Sequence, residues 1–455
     1  MHEAHDPGEE PTEEDEQTER LPPDQVLALR MGTLLGTFSI RQTEILRLVR
    51  FMDERANEID NAARRAKEII SAQLDDAPDE ESIEKLIDLL TAQMDESSED
   101  AKSSGLSEEE QQEAFVKALK EIGESVPDGH YATYVESVLR AVRTPPSGEF
   151  LRSSLLVTLV GELEMMVNQL ARAAVERQPS TLEDSGRTFT WSEISSYDSL
   201  ADFRDVVVDR AIEDVLRGSL ADWMNYFVKK FKIDPVKVAD SYDAQETVQR
   251  RHCIVHNAGT VSSLYLTKLG PFKRGGEIGD PLDVDSGYLQ RAADTLFLVA
   301  FALVWSLAVK LCQEDEHRDR VFSELSNRSY FLLQEHRYDL LIRIGQTAPI
   351  QRLPERFRLV VQVNVWLAHK LGGQFDTVRQ EIESFDVSAR SRDFQLARYA
   401  LLDDYENAAR VADSMMRDDE LSKAHYLTWP LLAGVREYRR NAGGDSDVEE
   451  GVDVS

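Results

Sequence analysis

The chain has 455 residues, with 84 acidic against 52 basic side chains and a formal net charge of −32. Two cysteines cannot build a disulfide framework, which excludes the small secreted scaffolds and points to a reducing, cytoplasmic compartment. Such a charge opposes nonspecific binding to nucleic-acid phosphates. With arginine preferred to lysine, it suits a halophilic, salt-rich cytoplasm, where the Debye length falls to about 3 Å at 1 M salt and self-repulsion is screened.

Residues 1–24 are rich in Glu, Asp, Pro and Thr, too polar to bury a core; they are predicted to be disordered and hold no signal peptide. Residues 25–143 form an N-terminal helical region. Ile45, Leu46, Leu48, Val49, Met52, Ala56 and Ile59, then Ile83, Leu86, Ile87, Leu89 and Leu90, recur at helical spacing. Acidic linkers at 75–81 and 95–110 interrupt it, and no clean heptad persists, so a packed helical hairpin is expected before a coiled-coil arm. Thr144-Pro145-Pro146-Ser147-Gly148 breaks the pattern and marks a domain boundary.

A second helical domain is expected over 146–313, with irregular stretches at 181–199 and 269–287. Its most apolar run, Leu296 to Leu311, is shorter than the roughly 20 residues that span a bilayer and is expected to be a central buried helix, not a membrane segment. From 318 to 440, units of an apolar helix, a short polar turn with an aromatic, and a second helix recur: Trp366 to Asp376 is echoed by Gln395 to Glu406. They resemble tetratricopeptide-type hairpins, whose concave face takes protein partners. Residues 441–455 are a short acidic tail expected to be disordered. The fold class predicted overall is all-α.

One run carries chemistry: Arg250-Arg251-His252-Cys253-Ile254-Val255-His256-Asn257-Ala258-Gly259, closing an apolar-periodic helix. Arg251 and His256 form an R-x4-H motif. Histidine exchanges a proton near neutral pH, and arginine stays charged and can fork onto a phosphate, so the pair suits phosphodiester chemistry without a metal. Residues five apart diverge by about 140° on a regular helix, so either the last turn unwinds or Arg251 reaches round.

From Phe150 onward the chain resembles the HEPN superfamily, all-helical domains many of which are metal-independent ribonucleases. The resemblance rests on Leu155 to Met166 as an apolar helix with embedded acids, on the helix around Leu220 to Phe227, and on Arg251 to Val261. It implies Arg251 and His256 as the catalytic pair, His252 and Asn257 as neighbours that position it, and Glu164 as an orienting carboxylate. It also implies a composite site in a homodimer, RNA as substrate, no cofactor, and a place in defence or stress response, as a toxin-like ribonuclease. Ala258 stands where one branch of the family has a tyrosine that is modified by its antitoxin, so that control is not expected here. Lys273 and Arg274, beside Phe272, could clasp RNA or form a solvated turn.

Other readings of the run stay open. His252 and His256 share a helix face around Cys253 as a metal site would, yet H-E-x-x-H and a nearby C-x-x-C are absent. His256 could only cap its helix, with Arg251 paired to Glu164 or Glu246. His317, His336, His369 and His425 fall on surface-like helical positions, with no catalytic role expected. A noncatalytic dimeric adaptor, binding protein or RNA, is the alternative to the enzyme.

Overall fold

The computed structural model describes residues 22–55, 61–72, 81, 83–85, 87, 131–143, 147–185, 188–274, 276–347, 353–388 and 390–441. The disordered-tail expectation for residues 1–21 and 442–455, the acidic linkers at 75–80 and 95–110, the breaker residues Thr144 to Pro146, and Ala56, Ile59, Leu86, Leu89 and Leu90 lie outside them. The described residues are mainly helical and contain no strand; a single β-bridge joins Thr260 to Pro281. The all-α class is therefore observed. The irregular 181–199 stretch holds a 3-10 segment, Pro179–Ser185, and a single helical turn, Trp191–Ile194.

The chain divides into two compact units that interleave in sequence: residues 1–39, 163–244 and 294–455 in one, and 40–162 and 245–293 in the other. The division falls inside four helices, α1 (Pro23–Glu54), α4 (Ser147–Arg177), α8 (Tyr242–His256) and α10 (Ser286–Leu311).

In the first unit the beginning of α1 is anchored at its acidic end. Asp24, expected in the disordered tail, is instead buried, accepts from Arg177 Nε, and takes the backbone N–H of Gln313 at 3.2 Å. Gly32 and Gly36 let α1 approach α11 (Asp315–Gln334): a Cβ at either would lie 3.2 Å from the side chain of Glu324 or Arg328. Trp305 of α10 stacks on Phe322 at 4.8 Å. α10 is 26 residues long, enough to cross a membrane by length and apolarity, but 78% of its most apolar window is buried within the protein. It packs as the buried helix expected, over a longer span than the apolar run suggests.

Helices α12 (Tyr338–Thr347), α13 (Glu355–Leu371), α14 (Arg379–Ser384), α15 (Arg392–Leu401), α16 (Tyr405–Arg417), α17 (Lys423–Thr428) and α18 (Ala433–Asn441) follow as a continuous stack, α13 lying against α11, α12 and α15. Their turns share one geometry. His336, Gly373, Asp403 and Asp419 all take φ between 58° and 73°. The N–H of the following residue reaches the carbonyl five residues back, at 2.8 to 3.0 Å, in Arg337 to Leu332, Gln374 to His369, Asp404 to Tyr399 and Glu420 to Met415. This is the Schellman arrangement, closing carbonyls the helix cannot satisfy itself. The aromatic foreseen in each turn stands two residues past the left-handed one, as Tyr338, Phe375 and Tyr405.

Two histidines expected at the surface are not there. His317 and His369 are buried, the latter bonding Thr377 Oγ1 at 3.1 Å, because the faces of α11 and α13 that carry them turn inward. His336 is exposed, though in a turn and not a helix, and His425 is exposed on α17.

Arg337 and Asp294 form a buried ion pair within this unit, with Arg337 Nε and Nη2 donating to one carboxylate oxygen at 3.1 and 2.6 Å. Removing one member strands the other charge, so Arg337→Met is expected to cost about 3 kcal/mol in urea unfolding, and Arg337→Met with Asp294→Leu much less. Asp419 has a left-handed backbone that a side chain opposes, so Asp419→Gly is expected to raise stability by about 1 kcal/mol. Thermal unfolding of the variant checks this.

In the second unit, helices α2 (Ala62–Ser71) and α3 (Tyr131–Arg143) pack together over Ala63, Ala66, Ile70, Tyr134 and Val138, with Ile83 buried among them. Ile45, Leu46, Val49 and Met52 of α1 are buried as their spacing suggests, while Leu48 is half exposed.

Candidate functional site: the C-terminal turn of α8

Helix α8 begins where the Ser241 hydroxyl accepts the N–H of Ala244 at 3.3 Å. Its buried face is not the apolar stripe its spacing suggests. Besides Ala244 and Cys253, that face presents Glu246, Thr247 and Gln249. Burying a carboxylate demands partners, and Glu246 has three. Tyr265 Oη donates at 2.8 Å, Tyr288 Oη at 2.5 Å and Arg250 Nε at 2.6 Å. The Arg250 guanidinium also lies over the Tyr288 ring, 4.1 Å from its centroid, and donates to the carbonyl of Asp283. Burial, then the Glu246 carboxylate, holds the Tyr288 phenol well above its ordinary value, so it stays a donor. Arg250 thus pairs with Glu246 along one face of the helix.

The network clamps α8 to the segment that follows the motif. Past His256, Ala258 and Gly259 both take left-handed backbone, at φ 49° and 74°. Gly259 does so at no steric cost; Ala258 does not. The N–H groups of Asn257 and Gly259 share the Cys253 carbonyl at 2.7 and 3.1 Å. The chain then runs beside 279–282, with Val261 N–H to Asp280 O at 2.9 Å and Leu282 N–H to Gly259 O at 2.8 Å. The Asn257 amide donates to Thr260 O and Oγ1 at 2.8 and 2.9 Å, tying off the turn.

The motif therefore sits on a regular helix, with the departure from helical geometry placed just after it. His252 and His256 share one face, rings tilted with centroids 4.7 Å apart. Arg251 lies about 140° round the axis from His256, as five-residue spacing requires. His256 is exposed, and Arg251 and His252 are partly buried. Burial, then His256, then Arg251 disfavour an imidazolium at His252, holding its pKa below the ordinary histidine value.

Of the other candidates, Lys273 and Arg274 are exposed in the same unit, Lys273 with a left-handed backbone at φ 53°. Glu164, on α4, belongs to the first unit, whereas Arg251 to Asn257 belong to the second. Among the described residues no group of three or more His, Cys, Asp or Glu side chains is placed to hold a metal ion. Cys253 is buried, with its Sγ 3.7 Å from Ser262 Oγ.

The sequence reading missed Tyr265 and Tyr288 and the pairing of Glu246 with Arg250. The signal available was the E-x3-R spacing of Glu246 and Arg250, which puts both on one helix face.

The depressed His252 pKa has a definite consequence for stability. As pH falls, the unfolded chain takes up this proton first. The contribution of neutral His252 is complete above about pH 6.5 and is lost as pH drops from there through the folded-state value. His252→Gln is expected to flatten the acid side of the stability curve below about pH 6.5, measured by urea unfolding at stepped pH. Parallel curves for the two proteins would assign the acid loss to other groups. In comparisons with family models, curated proteins and solved structures, nothing matches the chain.

Proposed function

We propose that the protein is a metal-independent endoribonuclease of the HEPN type. The observation that carries this reading is the C-terminal end of α8, where exposed His256 stands beside partly buried His252 and Arg251 precedes them, on a helix held by the Glu246–Arg250 pair. In this reading an RNA 2′-hydroxyl attacks the adjacent phosphorus. His256 serves as acid or base, and Arg251 stabilises the equatorial oxygens. The products carry a 2′,3′-cyclic phosphate and a 5′-hydroxyl. His252, favoured neutral by its surroundings, is suited to accept the hydroxyl proton beside His256. Because Arg251 and His256 diverge around a regular helix, one copy presents the base and a second copy the arginine, and the site is completed in a homodimer.

The charge of −32 argues for substrate held by stacking and hydrogen bonding more than by a broad basic surface. It also fits a working environment of high salt; a role in defence or stress response is what the resemblance implies.

The same divergence favours a second reading. If the dimer does not bring Arg251 of one copy to His256 of the other, the two do not act together. The protein is then a noncatalytic dimeric adaptor, and its helical stack after α10, similar to tetratricopeptide hairpins, is its partner-binding part.

RNA cleavage in high-salt buffer with EDTA separates the two. Wild-type protein is expected to release cyclic phosphate ends. His256→Ala and Arg251→Ala are each expected to lose about 100-fold or more in rate with their fold intact. Mixing these two inactive variants is expected to restore part of the activity through heterodimers. A folded wild-type dimer inert on every RNA pool would leave the adaptor.

A further inference from the structure

The helical stack holds a cleft of about 610 Å³, within the range of small-molecule sites. Four helices, α11, α13, α15 and α17, contribute to its wall, together with Trp429 just past α17. The lining is mainly apolar and aromatic, with Tyr330, Val360, Phe394 and Trp429 prominent. Val360 is 41% exposed there, although it is a large apolar side chain at a helix centre. Tyr330 spans from the first of these helices to the last, its hydroxyl donating to the Thr428 carbonyl at 3.2 Å. That bond is 98 residues long in sequence and fixes the width of the cleft. The His425 ring lies against Trp429, centroids 4.9 Å apart.

The charge of the wall is one-sided. Asp393, exposed in the first turn of α15, is the carboxylate facing the cleft, and among the described residues no Lys or Arg lines it. Aromatic faces attract a cation through their quadrupole, and a carboxylate in the same wall adds to this. A neutral or anionic ligand gains from neither, and the negative field of the whole chain further enriches cations at its surface.

We propose that this cleft binds a small organic cation, an ammonium or guanidinium group carried on an apolar body. The aromatic wall takes the body, and Asp393 takes the charged head. The site is separate from the α8 turn in residues and chemistry, and it stands whether or not the ribonuclease reading does.

Isothermal titration of the full-length protein tests it, with 2-phenylethylamine and 3-phenylpropylamine as cations and 2-phenylethanol as the neutral isostere. Both amines are expected to bind, with 2-phenylethanol about tenfold weaker or undetected. Asp393 is exposed, so Asp393→Asn should fold normally, and it is expected to weaken amine binding about tenfold while leaving any 2-phenylethanol binding unchanged. Three outcomes would overturn the proposal: no heat with either amine at millimolar concentration, equal binding of amine and alcohol, or an unaltered affinity in Asp393→Asn. A blocked Leu-Lys-Leu peptide binding tenfold tighter than the free amines would also overturn it, by assigning the cleft to a polypeptide.

Discussion

A chain built of helices must find partners for the last carbonyls of each one, and much of this structure follows from how that demand is met. One device is the left-handed residue at the helix end, repeated at His336, Gly373, Asp403 and Asp419. The other is a cation lent by a neighbouring helix. Lys370 Nζ donates to the carbonyls of Ala400 and Leu401 at 3.1 and 2.7 Å, and Arg398 donates to those of Ile382 and Glu383 at 3.2 and 2.8 Å. The second device does two jobs, since a cation at a C-terminus also opposes the helix dipole. Helices α13 and α15, and α15 and α14, are thereby joined by polar bonds of defined direction as well as by apolar contact.

The same demand shapes the end of α8, where it is met at a cost. Two consecutive left-handed residues, one of them Ala258, turn the chain away immediately after His256. The strain persists because the flanks over-determine it: Asn257 holds Thr260, Val261 and Leu282 bond across the bridge, and Arg250 fixes Asp283. The exposed histidine is thus carried by backbone that is pinned on both sides. Acid–base chemistry depends on such placement, because a proton-transfer group is useful only within hydrogen-bond reach of its target.

The all-α class and the polar aromatic turns were legible because each leaves a local signature: helical spacing of apolar residues, and an aromatic at fixed offset from the turn. The buried side of α8 was not, because Glu246, Thr247 and Gln249 read as surface residues until their partners are known. Those partners, Tyr265 and Tyr288, lie 19 and 42 residues away from Glu246, and no spacing rule connects them to it. His317 and His369 went astray for a related reason. A single polar residue on a mixed helix gives no face of its own, and its burial is decided by what packs against the helix. The R-x4-H spacing itself was visible, and so was the divergence of its two members, since both follow from the period of the helix.

That divergence, taken with the charge, bears on how the proposed enzyme is controlled. If Arg251 of one copy must meet His256 of another, activity depends on association of two chains that each carry −32. Their repulsion is long-ranged at low ionic strength and collapses as the Debye length shortens, from about 30 Å at 0.01 M to about 3 Å at 1 M. Binding of a polyanionic substrate runs the same way, because the acidic chain and RNA repel each other until salt screens them. Ordinary RNA-binding proteins lose affinity with salt through counterion release. On the reading proposed here both assembly and substrate capture gain from salt, so the protein behaves oppositely, and the acidic surface itself keeps the site apart from RNA in dilute solution.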